Sequence, residues 1–174
     1  MESDDVVRLH AWENASEDWW MGASISPISR EAMHGFVTGN QDLYRDRQLR
    51  FMLDAVDPSG STEGWMAVGA VDLYDFEPRQ LRAGVGLHVD SAHRREGHGL
   101  AGLTLLAAYA SKHLGLHQIY AEVPSSHAAS LSLFERAGYL ETGRRQAWIR
   151  KPDGSWEDTV TLQRFLTASP TSLA

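Results

Sequence analysis

Val89-Asp90-Ser91-Ala92-His93-Arg94-Arg95-Glu96-Gly97-His98-Gly99-Leu100-Ala101 is the stretch on which the fold turns. The residues before it, 82–89, alternate apolar Val85, Leu87 and Val89 with Gly84, Gly86 and His88. That is the pattern of a strand with one thin face. Two glycines inside a strand point to a bulge, or to close approach of a ligand or of another backbone. The residues after it, 99–114, place Leu103, Leu106, Ala107 and Ala110 at helical spacing, and Gly115 ends the run. A strand therefore runs into a basic, glycine-containing loop and then into a helix. The first amides of a helix are unpaired and carry partial positive charge. Glycines let the backbone approach an anion, and Arg94 and Arg95 add full charges. The arrangement suits a pyrophosphate. A plain surface turn is the alternative.

Outward from this unit, residues 118–123 read as a strand and 128–137 as a short helix closed by Gly138. Residues 139–149 and 156–165 form a hairpin around Lys151-Pro152-Asp153-Gly154. On the N-terminal side, the β-branched run at 6–11 reads as a first strand. Residues 16–40 read as one or two short helices broken at Gly22 and Pro27. Residues 49–56 and 65–74 read as a hairpin around Asp57-Pro58-Ser59-Gly60, and 75–80 as a loop. The expected class is α/β (α+β): one domain over 1–174, a mixed, mostly antiparallel central sheet of about six or seven strands, and flanking helices.

The composition agrees. A chain of 174 residues with 43% hydrophobic and 22% charged residues can bury its own core. The longest apolar run, 105–110, cannot span a membrane. The acidic start Met1-Glu2-Ser3-Asp4-Asp5 lacks the features of a secretory signal, so the expectation is cytoplasmic. With no cysteine, thiolate catalysis and disulfides are excluded. Residues 1–77 hold 15 acids against 5 Lys/Arg, and the remainder 8 against 11. An acidic front half argues against nucleic acid as a partner. The basic back half suits a small polyanion, and the acidic half a cation. His88, His93 and His98 recur every five residues, on neither one helix face nor one strand face, so no metal site is expected.

Two kinds of pyrophosphate site compete. Gly97-His98-Gly99-Leu100-Ala101-Gly102 spells the dinucleotide fingerprint, and Glu122 lies twenty residues past Gly102. That fingerprint needs its first glycine directly after the strand, yet residues 90–96 intervene. The loop Arg94-Arg95-Glu96-Gly97-His98-Gly99 resembles instead the R/Q-x-x-G-x-G/A loop of the GNAT acyl-CoA-dependent N-acyltransferases. Ser130-Leu131-Ser132-Leu133-Phe134-Glu135-Arg136-Ala137-Gly138-Tyr139 resembles the second signature of that family. The likeness is to the branch with ribosomal-protein N-terminal and spermidine acetyltransferases. It covers residues 82–165, the acetyl-CoA-binding half; residues 1–81 would form the acceptor-side half.

The resemblance implies acetyl-CoA as co-substrate and direct attack on the thioester by a primary amine, of a small molecule, an amino acid or a peptide N-terminus. It assigns CoA binding to Leu87, Val89, Arg94, Arg95, Glu96, Gly97, His98, Gly99, Leu100, His127, Ser130 and Phe134. Leu87, His88 and Val89 would lie where the strand splays from its neighbour. His88 is the candidate base or water-holder, a structural histidine being the alternative. Two positions depart from the pattern: His127 replaces an Asn, and Phe134 replaces a Tyr that protonates the leaving thiolate. Trp12, Trp19, Trp20 and Tyr74 could wall the acceptor, or serve as core. In the spermidine enzymes an acid stands early in the central strand, at what is Gly84 here, which argues against spermidine. A homodimer is a further expectation. The competing functions are a non-catalytic acyl-CoA-binding protein and a small dinucleotide-binding enzyme.

Overall fold

The computed structural model describes residues 1–15, 26–57 and 64–166. Trp19, Trp20, Gly22 and most of the expected turn after Asp57 lie outside these residues.

Among the described residues, three short α-helices come first: α1 (Asp5–Glu13), α2 (Arg30–Thr38) and α3 (Leu43–Asp46). The expected first strand at 6–11 is therefore a helix. Val6, Leu9 and Trp12 recur every three residues and pack together with Met33, Val37 and Ala70. One helical face pointing at a shared core outweighs the β preference of two adjacent valines. Asn14 locks the end of α1 to the entry of α2. Its amide donates to the carbonyls of His10 and Ile28, and its oxygen accepts from the Ile28 amide. Ser29 caps α2 through the Ala32 amide, and Asp42 caps α3 through the Tyr44 and Arg45 amides.

Among the described residues, six strands follow: β1 (Leu49–Val56), β2 (Trp65–Glu77), β3 (Arg82–Val89), β4 (Gln118–Pro124), β5 (Leu140–Arg150) and β6 (Trp156–Phe165). They form one sheet in the order β1-β2-β3-β4-β6-β5. Among the described strands, only β3 and β4 pair in parallel, joined by α4 (His98–Lys112), while α5 (Ala128–Arg136) links β4 to β5. The region expected to be loop from 75 onward is strand as far as Glu77, because β2 continues past a bulge. Asp75 has φ 48, and the register shifts between Tyr74 and Glu77. The extra residue lets Leu73 and Phe76, three apart, enter the same core.

That core fills the space between one sheet face and α4. Val71, Leu73, Val85, Ile119, Ala121, Val123, Val160 and Leu162 meet Leu103, Leu106, Ala107 and Ala110. Gly102 brings α4 close to the sheet, since a Cβ there would stand 2.8 Å from the Leu53 side chain. Among the described residues, the opposite face is covered only in part, by α1 and α2 over Met52 and Ala70. Edge strand β1 is partly sealed by Gln41, whose side chain accepts from the Arg50 amide and donates to the Arg50 carbonyl.

Candidate active site

The β3–β4 ladder stops after three pairs, the last being Gly84 with Tyr120. Past that point each strand keeps its other neighbour. β3 stays paired with β2 as far as Val89, and β4 stays paired with β6 as far as Pro124. Two strands held from outside and released from each other make a V that opens toward the loop at 90–97. Leu87, His88 and Val89 lie on the released arm of β3.

At the mouth of the V, Asp90 caps a 3-10 turn, Ser91–His93, by accepting from the Ala92 amide. Its second oxygen accepts from the Trp12 indole at 3.0 Å. These two bonds hold the Asp90 carboxyl below its ordinary pKa. Arg94 donates from Nε back to the Val89 carbonyl at 3.2 Å. Left-handed backbone at Arg95 (φ 70) and Gly97 (φ 91) then turns the chain into α4. Helix α4 begins without a side-chain cap, so its first amides are left for another acceptor. Arg95 is exposed beside them. Glu96, the acid of the loop, is engaged by two imidazoles: His98 Nε2 at 3.1 Å and His93 Nδ1 at 3.6 Å. Turns in the loop thus bring together two histidines that regular periodicity would separate.

Gly99 is buried, and its role is packing. A Cβ there would lie 3.0 Å from Leu133, 3.4 Å from Leu87 and 3.6 Å from Val89. Its smallness seats α5 and β3 against the start of α4. Leu100 is half-buried beside it. On the other side of the V, His127 opens α5. Its amide donates to the Pro124 carbonyl, and its carbonyl accepts from Ser130 and Leu131. The His127 side chain is exposed and Ser130 half-buried, one turn along. Phe134 does not join this group. It is 4% exposed and packs edge-on to Tyr139 in the core, ring centroids 5.0 Å apart. Glu157 fixes the turn before α5. It accepts from the Ser126 amide at 2.5 Å and pairs with Lys151 at 2.8 Å. With Lys151 the leading cause, the Glu157 carboxyl is held down at about 2.

The sheet face away from α4 presents His88, Gly86 and Gly84 of β3 beside Ala70, Asp72 and Tyr74 of β2. His88 lies under Trp12, ring centroids 4.9 Å apart. Arg50 grips Asp72 with two bonds, at 2.6 and 2.8 Å, and reaches Glu13 at 2.5 Å. Burial pushes the Asp72 carboxyl above its ordinary value, against the pull of Arg50. Burial also works against the charge of Arg50, but the two acids outweigh it and hold the guanidinium above its ordinary pKa. On β4, Tyr120 stands edge-on to Tyr74, and Glu122 pairs with Arg145. The sequence reading missed the Arg50–Asp72–Glu13 network. Its signal was a charged residue inside an apolar strand, as in Leu49-Arg50-Phe51 and Val71-Asp72-Leu73.

The glycines of β3 prove to be approached by side chains rather than by a backbone. A Cβ on Gly84 would fall 2.4 Å from the Tyr74 ring, and one on Gly86 3.3 Å from Asp72. Two other hollows lie away from the V. One, of about 360 Å³, is bounded by Gly35, Phe36 and Arg45 among others. The second, an apolar groove of about 310 Å³, runs between β1 and α4.

Comparison with known proteins agrees with this geometry. The spermidine N-acetyltransferase of Vibrio cholerae, in complex with CoA and spermine, superposes with a TM-score of 0.78 at 18% identity, over 95% of this chain and 92% of that one. A chimera of the Vibrio cholerae enzyme with hSSAT superposes with a TM-score of 0.75 at 17% identity, over 95% and 92%. These likenesses show a shared fold. In sequence, the probable N-acetyltransferase YjcK of Bacillus subtilis is 32% identical over 96 residues, 55% of this chain. The match spans about half of that relative, 52% of its length. The acetyltransferase (GNAT) domain family matches residues 1–140, so the likeness reaches through the N-terminal helices as well as the loop. The chain belongs to the acetyltransferase (GNAT) domain family.

Proposed function

We propose that the protein is an N-acetyltransferase that moves the acetyl group of acetyl-CoA to a primary amine. The observation that carries this is the parting of β3 and β4 after Gly84, opening onto the uncapped start of α4. The α4 amides and Arg95 would take the pyrophosphate, while the released arm of β3 and the start of α5 would flank the pantetheine. Holding both reactants in the V supplies proximity, and free β3 amides would polarise the thioester carbonyl.

The amine arrives from the face that bears His88, gives up a proton there and attacks the carbonyl. A C–N bond forms and the C–S bond breaks; the first proton leaves to solvent, and the second, shed by the nitrogen as it becomes an amide, passes to the departing thiolate, giving amide and free CoA. His88 is the candidate base because it shares the released arm with Leu87 and Val89 but points to the opposite face. Phe134 has no proton to give. Tyr139 packs in the core, where burial pushes its hydroxyl above the ordinary tyrosine range. The thiolate therefore takes its proton from the attacking amine, through His88 or water.

A non-catalytic acyl-CoA-binding protein is the second reading, and the burial of Phe134 favours it. A dinucleotide site is disfavoured: Gly99 and Gly102 are spent on packing against Leu133 and Leu53, and Glu122 is paired with Arg145. Thiol release from acetyl-CoA, measured with and without a panel of primary amines, separates the readings. Amine-dependent release with an N-acetylated product is the expected result. Tight acetyl-CoA binding with no amine-dependent release would establish the second reading.

A further inference from the structure

The open face beside the V has two ends. At one, Trp12 lies over His88. At the other, Tyr74 lies flat on the β3 backbone, in the space a side chain on Gly84 would fill, 2.4–2.8 Å from the position of its Cβ. Tyr120, the β4 partner of Gly84, meets the Tyr74 ring edge-on at 6.1 Å. The two rings together span the face at the level where the β3–β4 ladder ends. Between the ends, the floor is thin at Gly86, with Asp72 on one side. Glu122, paired with Arg145, stands on the other. From Gly84 to His88 is four strand residues, roughly 13 Å, before the thickness of a ring is subtracted.

We propose that Tyr74 is the stop at the closed end of the acceptor trough, so that the acceptor is a compact primary monoamine and extended polyamines are excluded. This rests on the acetyl-transfer reading above and names the substrate class of that same site. Three features of the trough support it. Its closed end is aromatic, Tyr74 and Tyr120 meeting edge-on. Asp72 and Glu122, two carboxylates of this face, are each held by an arginine. Gly84 is required for the stop, because any larger residue would displace the ring.

The test is the rate of CoA release with acetyl-CoA and a graded series of amines, from ethylamine to octylamine, together with the corresponding diamines and spermidine. Wild-type protein is compared with Tyr74→Phe and Tyr74→Leu, and the Tm of each variant with and without acetyl-CoA serves as the folding control. In the wild type, kcat/KM is expected to fall by about tenfold or more once the chain outgrows the trough. Tyr74→Phe keeps that cut-off because the ring remains, and Tyr74→Leu moves it to longer amines. The same cut-off in all three proteins overturns the role of Tyr74, as does efficient turnover of spermidine by the wild type. A protein that binds acetyl-CoA but acetylates no amine overturns the transfer reading and this inference with it. A changed profile without loss of stability is the supporting result.

Discussion

His88 holds two relationships at once: it lies on the released arm of β3, and it sits beneath the Trp12 ring. As the base, it must be neutral to accept a proton. The account predicts an acid limb in kcat/KM that belongs to this imidazole. It also predicts that His88→Gln lowers kcat by roughly 100-fold while acetyl-CoA still binds. An unchanged pH–rate profile in that variant would contradict the assignment. Arg50 makes a prediction about stability. Arg50→Met leaves Asp72 and Glu13 facing each other without their cation, which should cost about 3–5 kcal/mol at neutral pH in urea unfolding. The folded-state pKa of Asp72 is already raised by burial, and it rises further without Arg50. The deficit is therefore largest at high pH and shrinks as acidification protonates the pair. Glu157 works in the opposite sense. Its folded pKa is about 2 against an ordinary 4.5, so its contribution is complete above 4.5 and is lost as pH falls toward 2. Glu157→Gln should lower stability at neutral pH and flatten the acid limb in that window. A limb as steep as the wild type's would show that Lys151 and Ser126 contribute nothing through this carboxylate.

Among the elements, α4 was the most legible in the sequence. Its buried residues, Leu103, Leu106, Ala107 and Ala110, repeat with helical spacing, and Gly115, in left-handed backbone, ends the turn. The loop before it was legible as well, because charge and glycine fall together where a strand meets a helix. Helix α1 was not legible. Two valines read as strand, and only the distant Met33 and Ala70 reveal that Val6, Leu9 and Trp12 share one face. The continuation of β2 to Glu77 was hidden for a similar reason. A bulge at Asp75 breaks the alternation by which a strand is recognised. The packing of α5 on α4 through Gly99 can be tested directly. Gly99→Val places methyl groups against Leu133 and Leu87, and overpacking of this kind costs about 1–3 kcal/mol. Because it pries α5 away from the start of α4, it should weaken acetyl-CoA binding more than it lowers Tm. Loss of Tm with unchanged affinity would separate α5 from the site.

At the scale of the whole molecule, the uneven charge along the chain acquires a spatial meaning. The acidic front half supplies Glu13 and Asp72 to the open face, and the basic back half supplies Arg94 and Arg95 to the loop at the other end of the V. The proposed polyanion site thus lies on the basic side of the opening, opposite acids that Arg50 already holds. This was half-legible in sequence: the charge asymmetry could be counted, but strand pairing decides which acids share a face with His88. The proposed acceptor trough was the least legible part. Tyr74 and Gly84 are ten residues apart, and their contact exists only because β2 and β3 are antiparallel neighbours. No helix among the described residues is long and apolar enough to cross a membrane.

The central claim is that the V receives acetyl-CoA through the loop at 94–99. Thermal unfolding with acetyl-CoA, free CoA and NADH, on the wild type and on Arg94→Ala/Gly97→Ala/Gly99→Ala, tests it most directly. A ligand present at 100 times its dissociation constant stabilises the native state by about 2.7 kcal/mol. The account predicts a rise in Tm of that order with acetyl-CoA, little or none with NADH, and loss of the rise in the triple variant. A rise with NADH alone, or none with acetyl-CoA, would contradict it.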